Sequence, residues 1–204
     1  MKIRQSAIQS ICTVVTTGAT NSLYETVETN DISPAYLLPG NALDLHGNVN
    51  ISLLKPVKIK EIKRSPRFTV QEGDIVILAK GNAIRTAYIT KEVAERNVII
   101  SANFVLLRPD RSVALGQAIV AYFNTPAGKN ELEALNKGSV IKSISAADIR
   151  QLQIPVPSLD QQQQVAELFH TSLDTYQKAL QLAEQEKRTA LACINQLFQA
   201  EVIA

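Results

Sequence analysis

The side chains able to do chemistry are few and scattered. Two histidines, His46 and His170, and two cysteines, Cys12 and Cys193, stand far apart, and no pair among them has metal-ligand or redox spacing. Zinc is not expected, and the cysteines read as free thiols of a reducing compartment, Cys12 in the core. There is no phosphate-binding glycine loop, no nucleophile elbow and no Gly-x-Gly-x-x-Gly. The pair Gly73-Asp74 could offer a catalytic carboxylate, but a turn at the start of a strand accounts for it more simply. His170 falls in a Gln-rich helical stretch and reads as solvated. A non-catalytic protein is expected.

Cations form a stronger pattern. Lys55, Lys58, Lys60, Lys63, Arg64 and Arg67 crowd one stretch interrupted by Glu61, and a solvated strand-and-loop face is the simplest account of such a run. Lys80, Asn82 and Arg85 are expected in the loop after an apolar strand, and Lys137 and Lys142 flank Gly138-Ser139. Polar residues on turns held by rigid elements can reach base edges and phosphates. The overall balance, Lys+Arg 21 against Asp+Glu 19 and a net charge of +2, gives no global basic excess, so any such surface is local. These residues alone leave DNA and an acidic protein partner both open.

The elements that must position these side chains fall into two kinds. With 204 residues, 46% of them hydrophobic, the chain can bury one ordinary core and carry an appendage. Residues 5–17 predict a short helix or strand, and 22–50, broken by Pro34, Pro39-Gly40 and Gly47-Asn48, predict short strands joined by turns. A buried strand is expected over 75–79, stopping at Lys80-Gly81-Asn82, with further strands over 87–90, 98–100 and 103–107. Helices are expected over 115–123, over 126–136 with Thr125 as cap and Pro126 in first position, and after Ser145. Pro155 and Pro157 predict an extended exit over 154–157.

Beyond this point the pattern changes. Asp160 with Gln163 predicts a capping box opening one long helix without Gly or Pro. Phe169, Leu173, Tyr176, Leu180, Ala183, Lys187, Ala190, Ile194 and Leu197 alternate spacings of four and three, the rhythm of a coiled-coil seam. The fold class expected is α+β: residues 1–157 form a globular domain of short strands and local helices, and 158–204 a long coiled-coil helix. At ~1.5 Å per residue the rod reaches roughly 60 Å, too long to bury its stripe on so small a domain, so it calls for a second helix. The apolar run 11–15 is too short for a signal sequence or membrane span, and a soluble cytoplasmic protein is expected.

The order of landmarks carries a resemblance. Glu72-Gly73-Asp74-Ile75-Val76-Ile77 with Gly81, Asn103-Phe104-Val105-Leu106-Leu107-Arg108-Pro109, and Ala121-Tyr122-Phe123 through Gly128 come first. Gly138-Ser139, Ile144-Ser145, Asp148-Ile149 and Leu152 follow, then Ile154-Pro155-Val156-Pro157, Leu159 and Gln161 to Gln164. In this order, ending at a long helix, the chain resembles the DNA-specificity subunit of type I restriction-modification systems over nearly its whole length. It departs from the family's pattern at Ser158, where proline is common, at Gln161, where an acidic residue is usual, and in length. Family chains usually carry two recognition domains and two helical regions, and this one has room for one of each.

The resemblance implies a target recognition domain reading a DNA half-site, and a helix that sets spacing and docks a methyltransferase subunit. Base readout is expected of Lys80, Asn82 and Arg85, with Arg64, Arg67, Lys137, Ser139 and Lys142 at the interface and the cations mainly on phosphates. The helix residues Phe169, Leu173, Tyr176, Leu180, Lys187, Ile194 and Leu197 would pair with another helix. Two copies packed antiparallel would form an isologous dimer reading a palindrome, with half-sites no more than about seventeen base pairs apart at ~3.4 Å per pair. The chain could instead complete a second half-subunit. S-adenosylmethionine, ATP and magnesium are expected on the methyltransferase and restriction partners, none on this chain. Other readings are an orphan recognition domain of a type II or phage-defence methyltransferase, and a coiled-coil adaptor binding protein instead of DNA.

Overall fold

The computed structural model describes residues 3–27, 35–136 and 142–200. In chain order the elements are β1 (Arg4–Ala7), α1 (Ile8–Ile11), β2 (Cys12–Thr17), β3 (Tyr24–Thr26), β4 (Ala35–Leu38), β5 (Lys55–Ile59), β6 (Ile75–Leu78), β7 (Lys80–Gly81) and β8 (Arg85–Tyr88). They continue with α2 (Lys91–Ala94), β9 (Val98–Ile100), β10 (Phe104–Pro109), α3 (Gly116–Asn124), α4 (Pro126–Ala134), β11 (Lys142–Ser143), α5 (Ala146–Gln151), β12 (Gln153–Val156) and α6 (Leu159–Ala200). The mixture of short strands and local helices followed by one long helix is the α+β class expected. Two compact units emerge, Met1–Ala166 and Glu167–Ala204, so the first unit keeps the opening turns of α6 beyond the expected boundary at 157.

In the first unit two four-stranded sheets, β2-β10-β6-β8 and β3-β5-β4-β9, share a core. Val76, Ala87, Phe104 and Leu106 from the first meet Leu38, Val98 and Ile100 from the second in a single buried cluster. The alternate residues of β6 and β10, among them Ile75, Ile77, Val105 and Leu107, are buried too. This is why those strands read as unbroken apolar runs: both faces of the sheet are covered. Single bridges between Ala19 and Ser101 and between Thr69 and Ile99 tie the sheets at their margins.

The helices begin where their capping chemistry allows. The Thr125 hydroxyl accepts the Gly128 N–H at 3.2 Å with Pro126 in the first turn, and the Ser145 hydroxyl accepts from Asp148 at 3.1 Å. The start of α6 differs from the expected Asp160–Gln163 box. The helix opens two residues earlier, with Ser158 as cap: its backbone N–H donates to Gln161 Oε1 at 3.3 Å, and its hydroxyl accepts the Gln161 N–H at 3.5 Å. The extended exit is β12, paired antiparallel with β1 so that Pro155 lies opposite Gln5.

Three local expectations change. Residues 5–17 divide into strand, single helical turn and strand. The strand over 75–79 does not end the pairing at Lys80-Gly81: these two residues form β7 against β11. Arg85 lies in β8, paired with Leu78, and not in the loop after β6. Cys12 is only half-buried, although burial, with the Asp74 carboxylate nearby, pushes its thiol up to about 12; Cys193 is exposed.

Candidate nucleic-acid interface

Four of the expected interface residues gather around one β-ribbon. The chain leaves β6 through Ala79 and Lys80, whose N–H groups both donate to the Asn103 carbonyl, at 2.9 and 3.1 Å. Pairing of Gly81 with Lys142 and of Lys80 with Ser143 places β11 alongside. Lys80 and Asn82 are exposed, at the start and tip of the turn that leads into β8. Ile144 N–H donates to Ala79 at 2.9 Å, and Ser143 N–H to Asn136 Oδ1 at 2.8 Å, so the ribbon is anchored from both sides.

Lys142 and Arg85 are more committed than their sequence positions imply. The Lys142 ammonium lies 2.5 Å from Glu133 Oε1 on α4. The Arg85 guanidinium donates through NH1 to the Leu43 carbonyl at 2.9 Å, and its Nε is buried without a hydrogen-bond partner among the described residues. A shallow cleft beside Arg85 is lined by Asp44, Leu45, Ile84, Phe123 and Lys129 as well. On α3, burial and a hydrogen bond to Glu131 raise the Tyr122 phenol to about 12.

Arg64 and Arg67 belong to a different element, the 3₁₀ turn Ile62–Arg67 that follows β5. Arg64 is paired with Glu61 at 3.0 Å, both side chains exposed. Arg67 donates to the Thr16 hydroxyl at 3.4 Å and lies over the Phe68 ring at 5.8 Å. The solvated-face reading of this run fits its ion pairs, Lys60 with Glu25 included. Lys137 and Ser139 fall outside the described residues.

Gly73-Asp74 is a structural turn. Gly73 has φ +92, and Asp74, 1% exposed, binds Arg108 through Nε and NH2 at 2.8 Å each while accepting the Gln71 N–H at 2.7 Å. Arg108 also donates to the Thr69 carbonyl at 3.3 Å. An arginine fork on a buried carboxylate that also accepts a backbone N–H fits the turn reading of Gly73-Asp74.

In the second unit Tyr176, Leu180, Ile194 and Leu197 are all exposed, and Phe169 and Leu173 are half-buried. Leu191 and Phe198, each four residues after a seam position (Lys187, Ile194), share that face and are 57% and 69% exposed. They widen the stripe where Lys187 and Ala190 leave it thin, and their i, i+4 spacing was available in the sequence. Ion pairs Lys178–Asp174 and Arg188–Glu184 line the helix elsewhere. Among the described residues no group of three could hold a metal ion, and no helix is long and apolar enough to cross a membrane.

The geometry thus defines a two-sheet domain presenting a braced polar ribbon, joined to a long amphipathic helix. The family model for the type I restriction modification DNA specificity domain matches residues 7–188, and the chain belongs to that family. No curated protein matches its sequence. Among solved structures it is similar to a chain from a study of complex assembly and conformational transition of the type I R-M system (19% identity, TM-score 0.62, 94% of this chain and 48% of that one). It is also similar to the HsdS subunit from Thermoanaerobacter tengcongensis (17%, 0.59, 92% and 46%) and to the type I restriction-modification S subunit from M. genitalium (14%, 0.52, 82% and 38%). These likenesses show the fold, and the chain spans about half the length of the first two.

Proposed function

We propose that this chain reads one half of a split DNA target and brings methyltransferase subunits, and restriction subunits where they exist, to that site. The observation that carries the reading is the ribbon: Lys80 and Asn82 stand exposed on a turn anchored by β11 and Asn103, in a chain of the DNA specificity family. A rigid turn with a cation and a carboxamide can meet phosphate and adenine edge together. Its contribution is binding energy and sequence choice, while S-adenosylmethionine, ATP and magnesium belong to the partners. In this reading the described domain meets one half-site, and the exposed α6 stripe pairs with the helix of a second copy or of a second half-subunit.

The test is duplex binding by the full chain over a salt series. Counterion release gives an affinity that falls linearly in log–log with salt, and Lys80→Ala should lower that slope by about one phosphate contact. Asn82→Ala should relax preference at one base pair with the slope kept. An affinity indifferent to salt and to sequence would favour the protein-binding adaptor. Adenine methylation mapped in cells with and without the chain then identifies the directed methyltransferase.

A further inference from the structure

We propose that the loop over 43–49 is a second DNA-reading element, with Leu45 as the side chain that meets the bases and Arg85 as the residue that positions it. This rests on the DNA-binding reading above and deepens it. A single exposed leucine is ordinary on a protein surface. What singles out Leu45, 67% exposed, is the order imposed on the loop that carries it.

The loop is fixed from three directions. Within it, Asp44 Oδ1 accepts the N–H groups of His46 and Asn48 at 2.8 and 2.9 Å, and Asp44 Oδ2 the Asn48 amide at 3.1 Å. From β8, Tyr88 N–H donates to the Gly47 carbonyl at 2.9 Å and Arg85 NH1 to the Leu43 carbonyl at the same distance. Against α3, Gly47 has φ +89, and a Cβ there would lie 2.7 Å from Val120 Cγ1 and 3.0 Å from Asn124 Nδ2. Only glycine lets the loop seat this closely.

Its surroundings favour nucleic acid as the occupant. Leu45 shares a cleft with Ile84 and with Arg85 and Lys129, whose charges are balanced there by Asp44 and Glu133. Ile84 sits on the turn that carries Asn82, between the ribbon strands and β8. An apolar tip close to the turn that carries Lys80 and Asn82 fits a duplex, whose major-groove floor offers thymine methyl groups between rows of phosphate. Strand β8 therefore positions two reading elements, the ribbon turn at its start and the loop held by Arg85 and Tyr88. In this proposal Arg85 acts through the Leu43 carbonyl that it holds.

The experiment selects duplexes from a randomised library with the full-length wild-type chain and measures the preferred sequences against single-base changes. Leu45→Ala should lose about tenfold discrimination at one or two adjacent base pairs, with the salt slope unchanged because leucine neutralises no phosphate. Arg85→Lys should weaken discrimination at the same pairs, and that effect should vanish in the Leu45→Ala background. Wild-type protein that selects no sequence overturns the DNA-binding reading and this one with it. Selection by the wild type with Leu45→Ala matching it, or losing affinity equally for all sequences, overturns the loop alone. An Arg85→Lys effect undiminished in the double variant overturns the positioning role.

Discussion

Asp74 and Arg108 form the only ion pair among those described whose carboxylate is fully buried. The carboxylate sits at the start of β6 and the arginine near the end of β10, brought together by the antiparallel pairing of Leu107 with Ile75. Removing one partner leaves the other uncompensated, so Asp74→Asn should cost ~3–5 kcal/mol in urea unfolding. Replacing both by Leu and Met should recover much of that loss. Gly73-Asp74 was legible as a turn because glycine tolerates its positive φ, but its partner was not: the residues are far apart in sequence, and only the register of two buried strands joins them. Arg85 was placed in a loop for a related reason, since the break at Lys80-Gly81-Asn82 hid a two-residue strand.

At the scale of elements, the start of α6 is decided by packing. Gln161 to Gln164 offers several capping registers, and both Ser158–Gln161 and Asp160–Gln163 satisfy the local pattern. Gln162 selects between them. It is 2% exposed, accepts the Leu115 N–H at 2.7 Å through Oε1, and donates through Nε2 to the carbonyls of Val113 at 3.1 Å and Pro157 at 2.9 Å. Gln162→Leu removes the side-chain partner of three backbone groups and should destabilise the domain by ~1–3 kcal/mol, with faster hydrogen exchange at the Leu115 amide. Exchange unchanged at that amide would contradict the anchoring. The caps at Thr125 and Ser145 were readable because each has one serviceable hydroxyl; a glutamine run gives no such signal, and the side chain that matters is the one the 113–115 turn can reach.

For the whole molecule, the second unit is a single helix whose apolar stripe finds no cover within that unit. Isolated helices draw little stability from propensity alone, which is why the proposed function pairs this stripe with another helix. If the stripe pairs two copies as proposed, the wild-type chain should sediment as a dimer at micromolar concentration and Leu180→Glu combined with Ile194→Glu as a monomer. Binding to a single half-site should survive, while preference for a paired site is lost; a dimer that persists would remove the seam from the assembly. The heptad spacing made this helix legible from the outset. The two-sheet core was legible only as a set of strands, because the parallel pairing of β4 with β9 and the antiparallel pairing of β10 with β2 join distant segments.

The same Gln162 anchor bears on where the first unit could be joined to a different helix. A crossover at Pro157, where the composition changes, would separate the recognition domain from the glutamine that seals its 113–115 turn. A crossover after Ala166 would carry that plug with its socket, so recombinants joined there inherit the first unit intact whatever helix follows.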